Sequence, residues 1–150
     1  MLLVLTGKED TEYKKRLLDY VKERKLEKNI LFAGYLQTRN ELRDLYKAAD
    51  IGLFPIKKQG GVLAPLEMVS AGIPVIISEN MEIASLFKKE NLGIVTKDYA
   101  KAILEIYKNQ KEFKEKTKKG VLFVKNNLSW QAFTEKMIES FKDAWRKSRR

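Results

Sequence analysis

The sequence predicts an α/β fold: a parallel sheet of about five strands with helices on both faces and a helical C-terminal segment. Three observations carry this. Short runs that are apolar throughout alternate with amphipathic stretches of helical period, glycine and proline sit at the joins, and no internal repeat or low-complexity linker interrupts the 150 residues. A strand that is apolar on every residue needs cover on both faces, which parallel strands joined by right-handed crossover helices obtain. A chain of this length buries roughly 70% of its unfolded surface around one core, so a single domain over residues 1–150 is expected.

The elements follow in order. LLVLTG is the first strand, closed by Gly7, and KEDTEYKKRLLDYVKERKLEK then brings Tyr13, Leu17, Tyr20 or Val21, and Leu26 to helical spacing. NILFAGYL repeats the buried-strand signature. In TRNELRDLYKAAD, Thr38 and Glu41 are spaced as a capping box ahead of Leu42, Leu45, Tyr46 and Ala49 on one face. IGLFPI is a third strand, ending at Pro55, which has no N–H for a ladder. The loop KKQGG leads to a helix near 63–71, stopped by Gly72 with Pro74 beyond. PVIISE is the fourth strand, MEIASLFKKE a short helix and LGIVT the fifth strand, after which Asp98 can cap a helix beginning YAKAILEIY. From there onward the chain reads as helix, and the alternation as a whole is Rossmann-like.

Composition removes several kinds of chemistry. There is no cysteine and no histidine, which excludes disulfides, thiolate nucleophiles, imidazole bases and the usual zinc ligand sets within this chain. No Asp-x-Asp pair occurs, and no metal site is expected. The N-terminal MLLVLTG has no basic region before its apolar run and no small-residue cleavage site after it, so a cytoplasmic protein is the expectation. The net charge of +10 is uneven: residues 1–100 carry 16 basic and 14 acidic side chains, whereas 101–150 carry 14 and 6. That C-terminal excess is either the solvated face of lysine-rich helices or a surface for anionic lipid, nucleic acid or an acidic companion.

In open parallel sheets ligands bind beyond the carboxyl ends of the strands, where residues 55–62 fall. Gly60 and Gly61 let the backbone turn, and the next helix aims free N–H groups and its positive dipole end back at the loop, an arrangement suited to phosphate. Glu67, a turn inside that helix, can accept from two adjacent hydroxyls of the kind a ribose presents. Plain turn chemistry for the glycines and a structural salt bridge for Glu67 are the competing readings. Lys57 and Lys58 are either phosphate contacts or a solvated pair.

The order of the pieces is specific. ILFAGYLQTRNELRDLYKAADIGLFPI, then LAPLEMVSAGIPVIIS, then LGIVT and NNLSW, resembles the C-terminal, donor-binding domain of family 4 glycosyltransferases, which have the GT-B fold, over nearly the whole chain. The most specific part is the family's Glu, seven residues, Glu element followed by a helix and Gly-x-Pro-Val, matched by Gln59 to Glu67 and by Gly72, Pro74 and Val75. The resemblance implies that Glu67 holds the ribose hydroxyls of a nucleotide sugar. It implies that Gln59, standing where the family has a glutamate on the donor sugar, keeps one carbonyl acceptor and loses the charge. Gly60, Gly61 and Val62 replace the usual Gly-Phe-Gly, and the backbone of Leu63 and Ala64 completes the anion cradle. The family's main-chain contact to the base falls at Gly34, Tyr35 and Leu36. Family members begin this domain one strand and helix earlier, with cationic side chains for the diphosphate. The absent strand is the central one in a doubly wound sheet, so LLVLTG and IGLFPI either pair directly or leave a gap for a partner.

These features lead to the nucleotide-sugar half of a retaining glycosyltransferase, of the kind used in polysaccharide or glycolipid biosynthesis, with the isolated chain inactive and no cofactor or metal. No catalytic residue is assigned. The partners are the nucleotide sugar and an N-terminal acceptor domain or a subunit in its place, with an anionic membrane at the basic C-terminus (WRKSRR) and a second copy of the chain as further candidates. The alternative is a non-catalytic module using its basic C-terminal helices on nucleic acid or anionic membrane, although Trp130, Phe133, Met137, Phe141 and Trp145, at helical spacing among the lysines, read as core packing. An unrelated Rossmann-like nucleotide binder is a third reading; no Gly-x-Gly-x-x-Gly fingerprint supports it.

Overall fold

The computed structural model describes residues 1–8, 11–56 and 63–149, which fall into two compact units, Met1–Leu45 and Tyr46–Arg150. Helices and strands alternate as their apolar patterns dictate. In the first unit, strand β1 (Leu3–Thr6) is followed by helix α1 (Thr11–Glu23) and strand β2 (Ile30–Gly34). The two strands pair in parallel, Leu3 opposite Ile30 and Leu5 opposite Phe32, with a register shift before Thr6 meets Gly34. Val21 is the buried side chain of this unit among the described residues.

Helix α2 (Arg39–Ala48) opens with the anticipated capping box. The Thr38 hydroxyl accepts from the Glu41 N–H at 3.2 Å while Glu41 Oε2 accepts from the N–H groups of Thr38 at 2.9 Å and Gln37 at 2.8 Å. Those donations, the Thr38 one first, hold the Glu41 carboxyl below its ordinary pKa range. The helix runs across the boundary between the units, and Tyr46, with Ala49 just past the helix end, belongs to the second.

The second unit contains strand β3 (Gly52–Phe54), helix α3 (Leu63–Ser70), strand β4 (Val75–Ile77), helix α4 (Ala84–Glu90), strand β5 (Ile94–Val95) and helices α5 (Tyr99–Lys108), α6 (Gln110–Asn127) and α7 (Trp130–Lys147). Its sheet has the order β3-β4-β5, all parallel, with Gly52 opposite Val75 and Ile76 opposite Ile94. Strand β4, apolar on both faces and flanked on both sides, is fully buried. Met68, Val69, Ile77 and Phe87 form the core on one face, and Ile76 packs with Ala102, Ile106 and Phe113 on the other. A helix layer on each side of a parallel sheet is what strands of this composition require.

The α/β, Rossmann-like class therefore holds, with two differences of arrangement. The five strands form two sheets, each strand paired with one next to it in sequence, so the direct pairing of LLVLTG with IGLFPI does not occur among the described residues. The C-terminal helical segment is also three helices rather than a continuous run. It breaks at Asn109 and again at Leu128–Ser129, where the Ser129 hydroxyl accepts from the Ala132 N–H at 3.2 Å and starts α7. Asp98 caps α5 as expected, accepting from the Lys101 N–H at 3.0 Å.

Candidate donor site

Strand β3 ends at Phe54, and the chain leaving it is held in place from β4. The Ser78 N–H donates to Phe54 O at 3.2 Å and the Ser78 hydroxyl donates to Ile56 O at 2.6 Å, while Ser78 Oγ accepts from the Asn80 N–H at 3.1 Å. Ser78 is the buried polar side chain of the core, and its three bonds satisfy it while fixing where residue 56 ends. Nothing in PVIISE distinguishes that serine in advance. Lys57, Lys58, Gln59, Gly60, Gly61 and Val62 lie outside the described residues.

The chain resumes as α3. Pro65 occupies its first turn, where a missing N–H breaks no intrahelical bond, leaving the N–H groups of Leu63 and Ala64 as the orphan donors at the helix start among the described residues. Leu63 is exposed and Ala64 half-buried, so this end reaches the surface. Pro65, Met68 and Val69 face the core. The far end closes in a Schellman arrangement. The Ile73 N–H donates to Met68 O at 3.1 Å and the Gly72 N–H to Val69 O at 3.0 Å, with Gly72 at a φ of 78° that a side chain resists.

Opposite the buried face, the Glu67 side chain is exposed, and the Tyr46 hydroxyl donates to its Oε2 at 3.2 Å. The Tyr46 ring packs on the core formed by Met68 and Val69. Burial first, then the Glu67 charge and the hydrogen bond, push the Tyr46 hydroxyl up to about 12. Tyr46 thus orients Glu67 and remains a neutral donor throughout the ordinary pH range. The pairing spans 21 residues, and from the sequence Tyr46 reads as one more residue on the apolar face of α2.

The remaining predicted positions belong to the first unit. Gly34 ends β2 at a φ of 70°, a left-handed conformation natural to glycine, and its carbonyl accepts from the Gly7 N–H at 3.0 Å. Tyr35 is exposed beyond the strand with the Lys8 ammonium 6.0 Å from its ring centre, and Leu36 is half-buried. Lys8 is a cation at the carboxyl end of β1 that the sequence reading did not single out. No group of His, Cys, Asp or Glu side chains among the described residues is arranged to hold a metal ion.

Comparison with known proteins places the fold. Sucrose-phosphate synthase from Thermosynechococcus elongatus matches 97% of this chain over 39% of its own, at 22% identity and a TM-score of 0.80. Anabaena HepE in complex with UDP matches 95% of this chain over 41% of its own, at 16% identity and a TM-score of 0.79. The C-terminal domain of a group 1 family glycosyl transferase, LpcC from Francisella tularensis, matches 81% over 65%, at 24% identity and a TM-score of 0.68. The chain spans about two fifths of the length of the first two. No curated protein matches its sequence significantly. Residues 1–120 match the family described as "Glycosyl transferases group 1", and with four fifths of the sequence inside that match, the chain belongs to the group 1 glycosyl transferases.

Proposed function

We propose that this chain is the nucleotide-sugar-binding part of a retaining glycosyltransferase, active together with an acceptor-binding domain or subunit. The observation that carries the reading is Glu67. It is an exposed carboxylate one turn into α3, oriented by Tyr46 and placed beside a helix start with free N–H groups. A carboxylate in that position accepts from the vicinal hydroxyls of a ribose, while the orphan donors of Leu63 and Ala64 and the positive end of the helix favour the adjoining diphosphate. That HepE was solved with UDP, and shares this fold, supports a nucleoside diphosphate as the ligand class. The span of about two fifths of those relatives supports a second, acceptor-binding part.

The chain's contribution to the reaction is positional and electrostatic. The helix-end donors hold the diphosphate and stabilise the charge that gathers on it as the glycosidic bond to the donor breaks. Glu67 fixes the nucleoside so that the sugar is presented consistently. In this reading Gln59 contacts the donor sugar as a neutral acceptor.

The test is a thermal-shift panel of nucleoside diphosphates and nucleotide sugars on the wild-type chain and on Glu67→Ala. At least one nucleotide raises the melting temperature of the wild type, and ten-fold excess over Kd corresponds to about 1.4 kcal/mol. The shift is lost with Glu67→Ala. A full panel without any shift, or an undiminished shift in the variant, overturns the assignment.

A further inference from the structure

Glu67 is held from both ends. Its carbonyl accepts from the Ser70 hydroxyl at 2.7 Å and from the Ala71 N–H at 3.0 Å, which fixes its backbone at the end of α3. Its side chain is fixed at the tip, where the Tyr46 hydroxyl donates to Oε2 at 3.2 Å. Tyr46 is itself anchored. Its carbonyl accepts from the Ala49 N–H at 3.0 Å where α2 ends, and its half-buried ring packs on the core of the second unit. An exposed glutamate without such a partner exchanges among rotamers, whereas this carboxylate is oriented before any ligand arrives.

The chemistry of that partner sets what the carboxylate can take. A cation beside Glu67 would neutralise it, but among the described residues no ammonium or guanidinium group pairs with it. The phenol occupies one acceptor position on Oε2 and leaves the charge in place. Each oxygen then keeps an open position for an O–H donor, among the described residues. The two hydroxyls on neighbouring carbons of a ribose fill these together, one to each oxygen, by charge-assisted bonds. A sugar with a single hydroxyl fills one and leaves the other unmatched. Because Tyr46 pins Oε2, the carboxylate does not swing round to strengthen the bond that remains. We infer that Tyr46 is a positioning residue that makes the Glu67 site selective for ribonucleotides over deoxyribonucleotides. This selectivity rests on the nucleotide-binding role of Glu67 proposed above, and Tyr46 contributes to it without touching the ligand.

The test is calorimetric titration of the full chain with uridine, guanosine and adenosine diphosphates and with the 2′-deoxy form of each. A ribonucleotide that binds the wild type binds about 30-fold more tightly than its 2′-deoxy form, the worth of one hydrogen bond to a charged acceptor. In Tyr46→Phe, with circular dichroism unchanged, the ribonucleotide weakens about five-fold because a mobile glutamate must be ordered on binding. The 2′-deoxy form changes little, since the freed carboxylate follows its one hydroxyl, and the ratio shrinks to about six-fold. In Glu67→Gln, an exposed position, Tyr46 holds the amide oxygen and the ratio falls to about one, where adding Tyr46→Phe leaves it. A ratio that Tyr46→Phe leaves unchanged while both nucleotides weaken together overturns the inference, and so does a Tyr46→Phe chain without native circular dichroism, since Tyr46 is then purely structural. Ribonucleotide binding with a wild-type ratio near one overturns the selectivity alone. Titrations in which no ribonucleotide binds overturn the nucleotide reading of Glu67 and the selectivity with it.

Discussion

Replacing Tyr46 with phenylalanine removes the side-chain hydrogen bond that orients Glu67 among the described residues. The ring and its packing on Met68 and Val69 stay, and the 3.2 Å bond to Glu67 Oε2 goes. The Tyr46 hydroxyl is pushed up to about 12. Against an ordinary value near 10, that displacement corresponds to at most about 2.7 kcal/mol, with burial of the phenol as its largest cause and the Glu67 charge and hydrogen bond after it. Glu67 is exposed, however, and water screens the interaction, which brings the expected loss to about 1 kcal/mol, in line with a hydrogen bond to a charged acceptor at the surface. The sign follows from the raised value. The folded state favours the protonated phenol, so this stability is fully present below about pH 10 and is lost as pH rises toward about 12. Urea unfolding followed by circular dichroism should show Tyr46→Phe weaker by about 1 kcal/mol near pH 8, with the difference closing between about pH 10 and 12. Absorbance titration of the six tyrosines should lose its latest step in the variant. Equal stability at pH 8, or a late step that survives the substitution, refutes the pairing.

Other substitutions probe the scaffold around the site. Gly72→Ala meets no atom nearer than Val121 Cγ2 at 3.8 Å, so its cost is the left-handed backbone alone, about 1–2 kcal/mol by urea unfolding, with Gly72→Asn losing less. Gly93→Ala differs because its Cβ would stand 2.3 Å from Val75 O and against the buried Phe87 ring. Neither neighbour can give way, and a loss above about 3 kcal/mol or failure to fold is expected. Glu41→Gln removes a carboxylate held below its ordinary range by the Thr38 and Gln37 amides. The wild type should therefore exceed the variant in stability above about pH 4.5, and the two should converge as pH falls below that value, in parallel melts.

The sequence showed the features that are local. Strands such as VII in β4 are visible because burial on both faces leaves no polar position, and Thr38, Glu41 and Asp98 announce helix starts by spacing alone. Gly72 marked the end of α3 because a left-handed φ follows a helix that stops there. Long-range features were not legible. Tyr46 and Glu67 meet only because α2 and α3 are brought together, and the division of five strands into two sheets depends on which edges the chain closes. The helical period of Trp130 to Trp145 was plain, but periodicity reports that a face exists and not what covers it, so core packing was the wrong reading of that stripe. The break before α7 turned on Ser129, a weak cap signal within a run of good helix formers.

The buried strand β4 also has a kinetic meaning. Ile76 and Ile77 are inaccessible and bonded on both sides, so their amides should exchange with deuterium only when the whole second unit opens. The amides of β1 and β2, where Leu3 and Leu31 stand exposed, should label through smaller openings at far lower free energy. Protease under native conditions then has an ordered choice of substrate, trimming the first forty-five residues ahead of the rest and leaving a resistant piece that starts near Tyr46.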